Sequence, residues 1–209
     1  PMDGVRYTKP VRAPDDIHFL TRDEQIRFLE VAKRSHNYNQ YALILETGLR
    51  TGEMIGLTWD AIDFQNRTLT VNKTLEYRHK QHFWRAGPPK TQQSYRTIPL
   101  TDRAYEILKE IKDKRPWQKG SPLLSQTLEY IDRRTGAISR LVMRDLVFIN
   151  WRTGEPAKNS SYDTHLYKLC DEAGIENSVC TLYAIPTPQE RLNAAYSPKC
   201  CKSCLVTQV

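Results

Sequence analysis

Arg50 stands between Gly48 and Gly52, and Glu53 follows it three residues later. On the first turn of a helix, positions i and i+3 face the same way, so this carboxylate can hold and orient the guanidinium. An arginine fixed like this presents a rigid two-pronged grip to a phosphate. Spacing alone favours the plainer reading, an ordinary surface ion pair. A second concentration of chemistry lies downstream. Between Lys73 and Arg96 there are six basic residues (Lys73, Arg78, Lys80, Arg85, Lys90 and Arg96) against one acid, Glu76, which is +5 of the total net charge of +7. Tyr77, His79, His82, Phe83, Trp84 and Tyr95 are interleaved with them. Basic side chains neutralise phosphates and aromatics pack on sugars or bases, so this composition favours nucleic-acid contact over a solvated hairpin with core aromatics.

The cysteines suggest no comparable site. There are five, and Cys180, Cys200, Cys201 and Cys204 fall in the last 32 residues. The odd count and irregular spacing argue against a disulfide framework. Cys200-Cys201-x-x-Cys204 lacks a second spaced ligand pair, and no histidine follows Glu176, so neither a zinc nor a redox centre is expected. With 209 residues, 39% hydrophobic and 10% aromatic, the chain can enclose a core and is not a disordered polymer. No apolar run approaches the roughly 18 residues of a membrane span, and the N-terminus has no signal-peptide core. These features predict a soluble, basic protein with a polyanionic partner.

The elements that must position these groups can be read from periodicity. The chain opens on Pro1 ahead of Met2, as a piece of something longer would, and residues 1–20 read as an interdomain linker. Thr21-x-x-Glu24 is a capping box that starts a helix with Ile26, Phe28, Leu29 and Ala32 as its apolar side. Residues 40–47 are apolar nearly all round, which predicts a buried helix stopped by Gly48. A short helix over 52–59 follows, then strands at 68–77 and 94–100 with a Gly87-Pro88-Pro89 turn, in one small antiparallel sheet of two or three strands. A helix from Asp102 carries Ala104, Ile107, Leu108 and Ile111 on one face. Residues 115–140 read as loop, 146–156 as a strand with a turn, and Tyr162–Ala173 as a helix with Leu166 and Leu169 inward.

Two blocks of this chain resemble a known family. TGLRTGEMIGLTWDAIDFQNRTLTVNKT (47–74) is similar to the first catalytic block of the tyrosine recombinase (phage integrase) family, and PPKTQQSYRTIPL (88–100) to its lysine-bearing strand-turn-strand block. The likeness covers roughly residues 15–177 and is nearest to integrases of conjugative transposons. It implies an α+β, mainly helical catalytic-domain fold with a small antiparallel sheet over 21–177, its C-terminal part missing. It also implies roles. Arg50 would grip the scissile phosphate, Glu53 would position Arg50, and Lys90 would be general acid towards the leaving 5′-oxygen. Lys73, Arg78, Lys80, Arg85 and Arg96 are the candidate DNA contacts. The family reaction uses no cofactor or metal: a tyrosine attacks the phosphodiester, and the 3′-phosphotyrosyl link conserves the bond energy for rejoining. The implied partner is double-stranded DNA, held by a homo-tetramer in the intact family, with no membrane association and a bacterial cytoplasmic, nucleoid-associated location.

The family also requires a His-x-x-Arg block, a Leu-Gly-His block and a C-terminal tyrosine. None follows the helix that ends near Asn177, and Tyr183 and Tyr196 lie in no matching motif, so no nucleophile is assigned. Residues 178–209 have one acid, Glu190, and no sustained period, which reads as a disordered tail. Re-reading their codons displaced by one base permits MHTLRH and LQKLLGH, which restore both missing blocks at family spacing. The tail is therefore expected to be a frame-shifted recombinase C-terminus, with Cys200, Cys201 and Cys204 as its by-products. Three functional readings follow: an active recombinase with an unusual tail, a DNA-binding remnant that cannot cleave, and a nonfunctional pseudogene product with helix 40–47 left exposed. Loss of catalysis is the expectation.

Overall fold

Thr21 opens α1 (Arg22–Ala32) as its capping box predicts, its Oγ1 accepting from the Glu24 N–H at 3.3 Å and its own N–H donating to Glu24 Oε2 at 2.7 Å. The computed structural model describes residues 20–89, 94–114, 122–150 and 154–175. Residues 1–19 of the expected 1–20 linker, Lys90 and the tail at 178–209 lie outside them, and Leu20 is buried in the core. Helix α2 (Tyr38–Thr47) is buried over almost its whole circumference and ends at Gly48, whose φ of 66° is the left-handed conformation that glycine adopts at least cost. Helix α3 (Thr51–Ile55) is shorter than the expected 52–59, because Gly56 ends it and a turn at Trp59–Ala61 follows. Thr101 Oγ1 accepts from the Ala104 N–H at 3.1 Å and starts α4 (Asp102–Lys114), which buries Ala104, Ile107 and Leu108 as its spacing requires. Helix α5 (Pro122–Ser125) is one turn, and α6 (Asn159–Glu172) begins three residues before the expected Tyr162.

The strands correct the sequence reading. Among the described residues there are two sheets instead of one. Strands β1 (Ile62–Asp63), β2 (Thr68–Val71) and β5 (Arg96–Pro99) form an antiparallel sheet in the order β1-β2-β5. Strands β3 (Thr74–Arg78), β4 (Phe83–Gly87), β6 (Thr127–Asp132) and β7 (Ile138–Val142) form a second, in which β4 and β6 run parallel. The run 68–77 is thus two strands, separated at Asn72–Lys73 and paired into different sheets. The expected loop at 115–140 contains most of the β6–β7 hairpin. Leu128 and Tyr130 alternate inward there, but the exposed Ile138 hides the period on the return strand. Asp132 Oδ1 accepts from the Arg134 and Thr135 N–H groups at 2.8 Å and closes that turn. Residues 146–149 are buried as an apolar run but make only one β-bridge, Thr58 to Leu146.

Tyr41 of α2 lies at the centre of the core, edge-on to Phe28 at 5.4 Å and 4.8 Å from Tyr162 of α6. Aromatic pairs of this kind add about 0.5–1.5 kcal/mol to the burial of their area. Leu43, Ile44, Met54, Ile55, Leu69, Leu75 and Leu108 complete the same cluster. Within α2, Gln40 to Leu45 and Thr47 are buried.

Candidate functional site

The segment between α2 and α3 places Arg50 by opposing demands on its neighbours. Leu49 is buried in the core, so the extended backbone at Arg50 (φ −72°, ψ 152°) turns the next side chain outward. Arg50 is 57% exposed and stands at the N-cap of α3, whereas Glu53, one turn on, is 2% exposed. The Arg50 N–H donates to Glu53 Oε2 at 3.0 Å and Arg50 Nη1 to Glu53 Oε1 at 3.0 Å. The i, i+3 pairing inferred from spacing is present, and it is a half-buried pair rather than a surface one.

A second guanidinium reaches the same carboxylate. Arg96 of β5 donates through Nη1 to Glu53 Oε1 at 3.2 Å and through Nη2 to Oε2 at 2.9 Å, a bidentate pair. Burial alone would push the Glu53 carboxyl up. The hydrogen bonds from Arg96 and from the Arg50 backbone outweigh that and hold it below its ordinary value. Glu53 is thus an anion between two cations, which leaves one positive charge in excess. Of its five guanidinium donors, Arg50 commits one on Nη1 to Glu53, and the guanidinium makes no other hydrogen bond among the described residues. It can offer Nη2 and Nε to an outside anion.

Close packing fixes α3 behind this pair. A Cβ built on Gly56 would lie 2.9 Å from the Leu75 backbone nitrogen and 3.1 Å from Leu75 Cβ, so α3 approaches β3 at a distance only glycine permits. Lys73 borders the same small recess as Leu49, Glu53 and Gly56. Arg78, Lys80 and Arg85 lie apart from it along the β3–β4 ribbon. Arg85 stands opposite Glu76 in register, Arg78 Nη2 donates to Glu76 Oε1 at 2.7 Å, and Lys80 is exposed in the turn. Lys90 falls in the connection from β4 to β5, whose described ends are Pro89 and Ser94. Among the described residues there is no group of three or more His, Cys, Asp or Glu that could hold a metal ion, and no helix long and apolar enough to cross a membrane.

Sequence reading missed the start of α6. Lys158 Nζ lies 4.0 Å from the centre of the Tyr77 ring, Asn159 Oδ1 accepts from the Tyr77 N–H at 3.1 Å, and Ser160 Oγ is 2.6 Å from His79 Nε2. These contacts seat the helix start on β3 next to the basic ribbon. The available signal was Asn159-Ser160-Ser161, residues that favour helix N-termini.

Residues 18–184 match the model of the phage integrase family. The chain belongs to that family. Among its relatives is the transposase of transposon Tn916 from Enterococcus faecalis, 32% identical over 96 residues, which are 44% of this chain and 24% of the transposase. A tyrosine recombinase XerC-like protein from Caldanaerobacter subterraneus subsp. tengcongensis is 30% identical over 105 residues, 46% of this chain and 27% of that protein. The matched part of this integrase-family chain thus spans about a quarter of those relatives' length. Its fold is that of the Tn1549 transposon integrase solved with circular intermediate DNA, at a TM-score of 0.55 and 21% identity over 85% of this chain and 51% of that one. The XerA recombinase gives a TM-score of 0.52 at 19% identity over 82% of this chain and 48% of that one. The α+β, mainly helical fold is therefore the one shared by these integrase and recombinase structures.

Proposed function

We propose that this chain binds double-stranded DNA as part of a site-specific recombinase catalytic domain, with Arg50 as the ligand of the scissile phosphate. The observation that carries the reading is the half-solvated Arg50 guanidinium, oriented by the buried Glu53 and left with free donors. A planar fork held at one edge recognises a tetrahedral oxyanion at the other. Lys90 is the general acid towards the leaving 5′-oxygen, by the family's motif. Lys73, Arg78, Lys80 and Arg85 supply backbone contacts along the two sheets. In the intact family, strand cleavage and rejoining run through a 3′-phosphotyrosyl link on a tetrameric assembly.

This chain binds without cleaving. Arg50, Glu53 and Lys90 match the family pattern, while the second arginine, both histidines and the nucleophilic tyrosine have no match. Residues 178–209 form a frame-shifted tail, a reading that sequencing the DNA across Asn177–Ser178 decides. A nicked suicide duplex is the direct test of function. Salt-sensitive binding with no covalent protein–DNA adduct is expected. An adduct resistant to denaturant would show an active recombinase, and an absence of duplex binding would leave a nonfunctional product.

A further inference from the structure

Arg96 is more deeply committed to the turn around Arg50 than Arg50 itself. Besides its two bonds to Glu53, Nη2 donates to the Gly48 carbonyl at 3.2 Å and Nη1 to the Ser94 carbonyl at 3.4 Å. A guanidinium has five N–H donors, four of them on the two Nη atoms. All four are engaged by protein acceptors, which leaves Nε–H alone, and the side chain is 28% exposed. Such a group has no two-donor edge left for a phosphate. Its acceptors, by contrast, bracket Arg50: Gly48 lies two residues before it and Glu53 three after.

We propose that Arg96 is a positioning residue for Arg50, clamping the Gly48–Glu53 turn, rather than a DNA contact. The anchor is set by the sheet. Strand β5 pairs with β2, and Arg96 stands opposite Val71, whose burial holds the register. Without Arg96, Glu53 would keep a buried charge answered only by the more solvated Arg50. The carboxylate would then take up a proton or the turn would open, and either event frees the Arg50 fork. Lysine replaces this function only in part, because one ammonium keeps the charge but cannot span both carboxylate oxygens and the Gly48 carbonyl in a fixed plane.

This inference rests on Arg50 being the phosphate ligand, so its test carries a second readout that needs no DNA. Duplex affinity is measured by fluorescence anisotropy for the whole chain and its R50A, R96Q and R50A/R96Q variants, with amide exchange of Arg50 followed by NMR. R50A and R96Q should each weaken binding by about five- to tenfold, the loss of one phosphate contact. The double variant should stay within about twofold of R50A, because nothing remains to be positioned. The Arg50 amide, bonded to Glu53, should exchange at least about tenfold faster in R96Q. R96K should restore part of the loss, and it carries the same comparison if R96Q does not fold. An equal cost of R96Q with and without Arg50 would mean that Arg96 touches DNA itself and would overturn the proposal. If R50A binds like the unmodified chain, the phosphate reading fails by itself; the positioning role then stands on faster Arg50 exchange in R96Q and falls if exchange is unchanged.

Discussion

Replacing Glu53 with glutamine removes one charge and almost no volume, so its effect isolates the electrostatics of the turn. The native carboxylate accepts two bonds from Arg96 and one from Arg50 Nη1, plus one from the Arg50 backbone. Glutamine keeps one acceptor oxygen and turns an NH2 group towards donors, so at least the Arg96 pair cannot survive as it is. A hydrogen bond to a charged group contributes about 1.5–3 kcal/mol, and removing one partner of a buried pair costs about 3–5 kcal/mol. Arg50 is 57% exposed and regains water, so its share is near the surface-pair value of about 0.5 kcal/mol. Arg96, 28% exposed, regains some water as well. The expected loss for E53Q is about 2–4 kcal/mol, a large part of the stability of a domain this size. Urea titration should show a lower midpoint at unchanged slope.

The acid limb supplies an independent check. Because the folded Glu53 carboxyl lies below its ordinary 4.5, the unfolded chain binds the proton first as the pH falls. Its stabilisation is complete above about pH 4.5 and is lost as the pH drops through the folded value. E53Q has no such group and should lose less stability over that range than the unmodified chain. A cost below about 0.5 kcal/mol, the scale of an ordinary surface substitution, would refute the argument, as would an acid limb identical in the two proteins.

Three further outcomes follow from the packing and charge. G56A places a methyl against the Leu75 backbone and should destabilise by about 1–3 kcal/mol, read as a midpoint shift in urea, whereas space for that methyl would leave the midpoint where it is. His165 is held below its ordinary 6.5 by burial first and then by the charges of His36 and Lys168, with Glu172 opposing, while the Tyr41 hydroxyl bonds its Nδ1 at 3.0 Å. Its neutral form is the one the fold accepts, so stability should be complete above about pH 6.5 and fall as the pH drops through the depressed value, a slope that H165Q should flatten in thermal melts. Charge reversal at Arg85 should weaken duplex binding at all sequences alike and lower the salt slope by about 1–2 units, while an unchanged slope would remove Arg85 from the interface.

The helices were legible because their signals are local. A capping box, an apolar face at helical spacing and a glycine stop each lie within one or two turns, and α1, α2 and α4 appear where those signals stand. The sheets were not, since a strand's partner is chosen by burial elsewhere in the chain. TLTVNKTLEY reads as one β-run, yet Gly56 admits α3 against Leu75 and the run divides between two sheets. The hairpin at 127–142 was lost for a similar reason, because its outward isoleucine breaks the alternation until a parallel partner, β4, is known.

The candidate site divides in the same way. The sequence by itself determined that Arg50 and Glu53 share a helix face, because i and i+3 on one turn are neighbours whatever the rest of the chain does. It placed Arg96 among the basic residues of the sheet and could say nothing of where its guanidinium points. Only the tertiary structure, by pairing β5 with β2 and burying Glu53, brings that charge across 43 residues onto the same carboxylate. A buried anion requires a partner with matching geometry, and the nearest residue that can supply it is close in space but not in sequence.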